Sequence, residues 1–249
     1  MTDTAARERA DALKRICRAL AAAVDDLAFG APVTHVYNPL DYARAAVERY
    51  LEVAVTGRGQ TLLLGMNPGP WGMAQTGVPF GTVSRVRDWL GIEAPIGRPA
   101  NEHPGRPVLG FDTVREEVSG LRFWGWAERR WSTPARFFAR FFVANYCPLL
   151  FLEESGRNRT PDKLPADERA ALFAPCDAAL RELVAVLEPA RVVGVGAFAE
   201  QRARTALKET GLPIGRILHP SPASPVANRG WAAQAERQLT ALGVPPPGH

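Results

Sequence analysis

The chain has 249 residues, 46% of them hydrophobic, and its 30 Lys and Arg outnumber its 26 Asp and Glu to give a formal net charge of +4. That apolar content suffices for one sizeable core, while three cysteines at wide spacing with no Cys-x-x-Cys pair argue against a disulfide framework, a zinc site or an iron–sulfur cluster. Arginine supplies almost all the positive charge, with lysine only at 14, 163 and 208, so charge by itself is a weak pointer to nucleic acid.

The first predicted element is a helix over about residues 3 to 27, where Leu13, Ile16, Leu20, Val24 and Leu27 fall on one stripe. Its apolar stretch Ala19 to Val24 runs at once into Asp25-Asp26, which makes it amphipathic rather than a signal peptide, and no run approaches the roughly 20 apolar residues of a membrane span. A soluble cytoplasmic protein, nucleoid-associated in a bacterium, is the resulting expectation, with no membrane partner and a monomeric state. A second helix is predicted over about Leu40 to Val55. Thr61 to Gly65 then forms a continuous apolar run bounded by Gly59 and a Pro/Gly-rich stretch, the pattern of a strand covered on both faces.

Similar runs recur at Phe141 to Ala144, Arg191 to Val195 and Arg216 to Leu218, with helical patterns at about 84–90, 133–140, 166–187, 197–210 and 227–242. Strands alternating with helices predict an α/β fold: a three-layer α/β/α domain around a central, mainly parallel four-stranded sheet. Gly and Pro are scattered among short turns and nothing reads as an internal linker, so residues 1–249 are expected to form a single domain. The N-terminal helix occupies about 1–30 of it and 243–249 form a flexible tail.

Polar residues stand at the ends of three of these strands: Asn67 after the first, Asn145 at the end of the second, His219 at the end of the last. In open parallel sheets ligands bind beyond the carboxyl ends of the strands, so these side chains are expected to converge.

The segment Gly65-Met66-Asn67-Pro68-Gly69-Pro70-Trp71-Gly72-Met73-Ala74-Gln75-Thr76-Gly77-Val78-Pro79-Phe80-Gly81 resembles the signature loop of the single-strand-selective monofunctional uracil-DNA glycosylases. Asn145-Tyr146-Cys147-Pro148-Leu149-Leu150-Phe151 is similar to that family's base-recognition strand, and His219-Pro220-Ser221-Pro222 to the superfamily's second catalytic motif. The resemblance implies a metal- and cofactor-free enzyme that removes uracil, and 5-hydroxymethyluracil, from single- and double-stranded DNA to leave an abasic site for base excision repair. Its partner would be DNA containing uracil or oxidised pyrimidines.

On this reading the base is flipped out of the stack and read by its edge and its π-face. Phe80 would stack on it, Asn145 would accept from N3–H and donate to O4, and backbone amides of Met66 and Phe80 would lie near it. His219 would stabilise charge on the departing base and Asn67 would hold the attacking water, positioning it, since an amide takes no proton at neutral pH. Gly69 would leave room at the base's 5-position. Ser221, Pro222, Ala223, Ser224 and Arg229 would face DNA. The family often carries a long basic residue at the loop tip, where this chain has Ala223-Ser224. Each residue also has a structural use: a core aromatic, a strand-end amide, a histidine before proline, a glycine turn.

Two rival readings come from other classes. Gly194-x-Gly196-x-x-Ala199 follows a strand and opens a helix like a dinucleotide fingerprint, but the usual acidic residue about 20 positions on is missing. A silent nucleic-acid binder that keeps the fold is disfavoured by the joint presence of Asn67, Asn145 and His219. Arg157 and Arg159 border loops expected to face DNA, and His35, His103 and His249 read as surface or loop residues.

Overall fold

A computed structural model describes residues 2–247 of the chain. Four parallel strands form the central sheet: β2 (Thr61–Gly65), β3 (Phe141–Asn145), β6 (Arg191–Val195) and β7 (Ile214–Ile217), in the order β3-β2-β6-β7. A three-stranded antiparallel sheet that the sequence reading did not anticipate lies beside it, built from β1 (Val33–Tyr37), β4 (Leu150–Glu153) and β5 (Asn158–Arg159). The helices are α1 (Thr2–Asp25), α2 (Pro39–Tyr42), α3 (Arg44–Ala54), α4 (Met73–Thr76), α5 (Val118–Trp131), α6 (Pro134–Phe138), α7 (Ala166–Leu187), α8 (Ala197–Ala206), α9 (Pro225–Asn228) and α10 (Trp231–Ala241).

Register decides which side chains share a face. Leu62 pairs with Phe142 and Val192, so these residues and Leu64, Ala144 and Gly194 point to one side. That side is covered by α1, α3, α7 and α8; Gly194 has no side chain because a Cβ would lie 2.3 Å from the Glu200 amide nitrogen of α8. The opposite side carries Phe141, Val143, Asn145, Gly65, Gly215 and Ile217. Here Phe141 packs on Trp126 and Trp131 of α5, and a Cβ on Gly215 would meet Leu242 just beyond α10. Three layers result, and Gly65, Asn145 and the chain beyond Ile217 emerge on the side of α5 and α10.

Helix α5 went unread because Gly120 and Gly125 lower its intrinsic propensity and aromatic residues crowd it. Tertiary burial of Phe123, Trp124, Trp126, Ala127 and Trp131 overrides that deficit. Two predicted helices are each two pieces, 39–42 with 44–54 and 225–228 with 231–241, and the predicted 84–90 helix is a π-helical turn over Arg85–Trp89. The last strand runs over 214–217 rather than 216–218. Thus His219 lies two residues past the strand. The cysteines are all unpaired, Cys147 and Cys176 buried and Cys17 half-buried. His249 and part of the expected tail lie outside the described residues. Among those residues no helix is long and apolar enough to cross a membrane, and no group of three or more His, Cys, Asp or Glu is placed to hold a metal.

Candidate active site

The loop from Met66 to Ser84 leaves β2, makes the single turn α4 and returns to present Phe80. Phe80 holds φ of 55°, a left-handed backbone unusual for an aromatic residue and the kind of strain that collects at functional sites. Helix α5 enforces it. The Phe80 ring stacks on Phe123 with centroids 4.7 Å apart and planes 10° from parallel, and Trp124 Nε1 donates to the Pro79 carbonyl at 3.1 Å. Gly120 is glycine for the same reason, since a Cβ would stand 2.3 Å from the Phe80 carbonyl oxygen.

The other ring neighbours of Phe80 are functional candidates. Its centroid lies 5.8 Å from that of His219. A Cβ on Gly65 would fall 2.3 Å from Asn145 Oδ1 and 2.8 Å from Phe80 Cε2, so the bare backbone of Gly65 lets these two side chains approach each other. Phe80 thus stands beside both Asn145 and His219, two of the three strand-end residues, while the third, Asn67, is held against Leu149.

Their hydrogen bonds define what each can do. Asn145 Nδ2 donates to Met73 Sδ at 3.2 Å, a weak acceptor that a better one can replace. Asn67 Nδ2 donates to the Leu149 and Pro68 carbonyls at 3.2 and 3.3 Å, which holds the amide and leaves Oδ1 as an acceptor. The Ser221 amide donates to His219 Nδ1 at 3.0 Å. Burial lowers the His219 pKa from 6.5 to about 4. The ring is neutral at pH 7, and because Nδ1 accepts, its proton sits on Nε2 as a free donor. The Met66 carbonyl accepts from the Cys147 amide at 2.9 Å, which ties the signature loop to the segment after Asn145.

Gly69 faces an unexpected neighbour. The space that its Cβ would take is filled by the Glu117 carboxylate, 2.0 and 2.2 Å from that position, and a Cβ on Gly72 would also lie 2.8 Å from it. Glu117 stands at the N-terminus of α5, accepts from the Trp71 amide at 3.2 Å, and has its carboxyl pushed above the usual range by burial. Glycine at 69 thus makes room for a half-buried acid against the loop.

After His219 the chain turns through Ser221, whose Oγ accepts from the Ala223 amide at 3.2 Å, and Ser224, which caps α9 by accepting from the Ala227 amide at 3.3 Å. Pro222, Ala223 and Arg229 are exposed. Arg159 is engaged elsewhere, with Glu153 at 3.1 Å and the Lys163 carbonyl, on the edge of the antiparallel sheet. His103 is in a loop as expected but buried, its Nδ1 accepting from the Gly105 amide at 2.9 Å. The residues that sequence reasoning missed are all on or beside α5: Glu117, Gly120, Arg122, Phe123 and Trp124. A signal existed, since Gly120, Phe123, Trp124, Ala127 and Trp131 fall at helical spacing.

A parallel sheet with an aromatic, an amide and a neutral histidine gathered past its strand ends fits one class of protein, and the family model of the uracil DNA glycosylase superfamily matches residues 57–239. The chain is 51% identical over 229 residues to the single-strand selective monofunctional uracil DNA glycosylase of Mus musculus, covering 91% of this chain and 82% of the mouse protein. It is 52% identical over 222 residues to that of Bos taurus, covering 88% and 82%. The chain belongs to the single-strand selective monofunctional uracil DNA glycosylase family. In three dimensions it is similar to the crystal structure of wild-type Pedobacter heparinus SMUG2, with a TM-score of 0.67 at 15% identity over 94% of this chain and 97% of that one, a likeness of fold.

Proposed function

We propose that this chain hydrolyses the N-glycosidic bond of uracil in DNA and leaves an abasic site, the first step of base excision repair. The observation that carries the reading is His219: a half-buried, neutral imidazole whose Nδ1 is taken by the Ser221 amide, so that Nε2–H is left as a donor. Such a donor, fixed in its tautomer before the base arrives, stabilises negative charge as it forms on the uracil O2. Phe80, backed by Phe123, supplies a fixed wall for the flipped base, and Asn145 offers the acceptor and donor that match N3–H and O4 and oppose cytosine. Asn67 Oδ1 orients a water without deprotonating it, so base departure runs ahead of water attack.

The same residues favour 5-hydroxymethyluracil as a second substrate. The family likeness sets Gly69 near the base's 5-position, and we read the Glu117 carboxyl that fills the space beside it as the acceptor for a hydroxymethyl group, with nothing to offer a methyl. The chemistry is monofunctional: strand scission needs an amine nucleophile, and Lys14, Lys163 and Lys208 pair with Glu52, Asp162 and Glu209, away from the site loops. Single-turnover assays with oligonucleotides carrying one uracil, 5-hydroxymethyluracil, thymine or cytosine test this. Base release from the first two, with strands intact until alkali treatment, is the expected result; no release of uracil, or scission by the protein alone, refutes it.

A further inference from the structure

Arg122 lies on α5 beside Phe123, and nothing in the base-reading chemistry uses it. Its guanidinium reaches the chain beyond His219: Nη1 donates to the carbonyls of Pro220 at 3.0 Å and Ser221 at 3.3 Å, and Nη2 donates to Asn228 Oδ1 at 2.8 Å. Asn228 Nδ2 in turn donates to the Pro222 carbonyl at 2.9 Å. The other hydrogen bonds of residues 220–228 are local, within the segment or to its flanking residues His219, Arg229 and Gly230, among them Ser224 amide to Ser221 carbonyl at 3.1 Å and Ala223 amide to Ser221 Oγ at 3.2 Å. Among the described residues, then, Arg122 alone ties this segment by hydrogen bonds to another part of the chain. It is also in no ion pair there, so its fork of donors is given over to these three acceptors.

The segment has two jobs. Its first residues set His219, through the Ser221 amide that fixes the imidazole tautomer. Its middle, exposed at Pro222 and Ala223, is the part that can enter the space a flipped base leaves. Helix α5 already holds the Phe80 wall, so a single side chain on it locks the wall and the histidine loop into one frame.

We propose that Arg122 is a positioning residue that holds the His219 loop, and its tip, in the excising geometry; this rests on the reading of His219 as the group beside the departing base. A guanidinium spanning three acceptors has no equivalent in lysine, which reaches one carbonyl at a time, or in glutamine, which is too short. The test is single-turnover release of uracil at saturating enzyme, from single-stranded and U·A duplex oligonucleotides, by wild type, Arg122→Gln and Arg122→Lys, with DNA affinity and thermal melting measured alongside. The saturating rate of Arg122→Gln should fall by about 10-fold or more on single strands, and further on duplex, where the freed tip must also hold the stack open, while affinity changes much less. Arg122→Lys should recover part of the rate. If Arg122→Gln does not fold, Asn228→Ala, an exposed substitution that removes one acceptor and the Pro222 tie, should lose rate on duplex. A folded Arg122→Gln with both rates within twofold of wild type overturns the proposal. So does weaker binding at an unchanged saturating rate, which would make Arg122 a phosphate contact. Absence of uracil release by wild type would instead sink the underlying reading.

Discussion

Gly65→Ala probes the pocket with one methyl group. The new Cβ would stand 2.3 Å from Asn145 Oδ1 and 2.8 and 2.9 Å from Phe80 Cε2 and Cζ, where ordinary contact begins near 3.4 Å. Both side chains must therefore retreat, Asn145 by about 1 Å and Phe80 by about 0.6 Å, and a displacement of about 1 Å costs on the order of 10²-fold when it separates reacting groups. Neither can do so freely. Phe80 is backed at stacking distance by Phe123, and Asn145 sits in the β2–β3 ladder directly paired with residue 65. Forced overpacking of this size destabilises by about 1–3 kcal/mol, or a melting shift of roughly 2–12 °C for a chain of this length. The backbone at Gly65 is not left-handed, so the clash is the whole effect and the variant should still fold. The assay is single-turnover uracil release from a saturated single-stranded oligonucleotide, with melting followed by circular dichroism. A folded Gly65→Ala variant within threefold of the wild-type rate would refute the placement of the base between Phe80 and Asn145.

Other outcomes follow from the same geometry. Because the His219 pKa is lowered to about 4, the rate should be flat from pH 8 to 6 with no break near 6.5, and an acid limb at pH 6–7 that vanishes in His219→Ala would contradict the neutral-imidazole mechanism. The same burial has a stability consequence: below about pH 6.5 the unfolded chain binds a proton at His219 that the folded one refuses, so stability falls with pH, by at most about 3 kcal/mol near pH 4, and His219→Ala should flatten that slope in urea titrations. Asn145→Asp removes the donor to uracil O4 and adds repulsion, so uracil release should drop by at least about 10²-fold, with retention of the normal rate in a folded variant counting against Asn145 as the reader. Ala223→Arg puts a long side chain on the exposed tip and should raise excision from U·A duplex relative to single strands; an unchanged ratio would move the wedge to another residue such as Arg229.

The central sheet was legible because its strands are short, continuous apolar runs closed by glycine or proline, and Asn67, Asn145 and His219 stood out as polar residues just past them. Gly215 misled the boundary of β7: inside a strand it reads as a turn, yet it is there because Leu242 fills the space of its side chain. The antiparallel sheet was hidden by its brevity. β5 has two residues, β1 interleaves Thr34 and His35 with apolar positions, and Leu150 and Phe151, the first half of β4, had been absorbed into a motif read for chemistry. Helix α5 was lost to propensity, and with it every residue that supports the site from behind. Sequence motifs mark groups that touch a substrate. The groups that hold them lie some 40 to 100 positions away on a helix whose glycines count against it locally.

That helix explains how loops so distant in sequence keep one geometry. Along fewer than three turns, Glu117 holds the Trp71 amide, Gly120 admits the Phe80 carbonyl, Arg122 holds Pro220, Ser221 and Asn228, Phe123 backs Phe80, and Trp124 holds the Pro79 carbonyl. Beyond them Trp126 and Arg130 both bond Glu236 of α10, which anchors the helix to the layer behind it. The signature loop and the histidine loop are thus fastened to one rigid element rather than to each other, while the backbone of Asn145 is fixed by the sheet and its side chain bonds Met73 of the signature loop. Substitutions on α5 should couple strongly to changes at His219 and Phe80, because each pair shares a frame, and weakly to changes at Asn145. A double-mutant cycle of Arg122→Gln with His219→Ala, set against Arg122→Gln with Asn145→Ala, measures this in single-turnover rates: a coupling as large in the second pair as in the first would mean that α5 is not the frame.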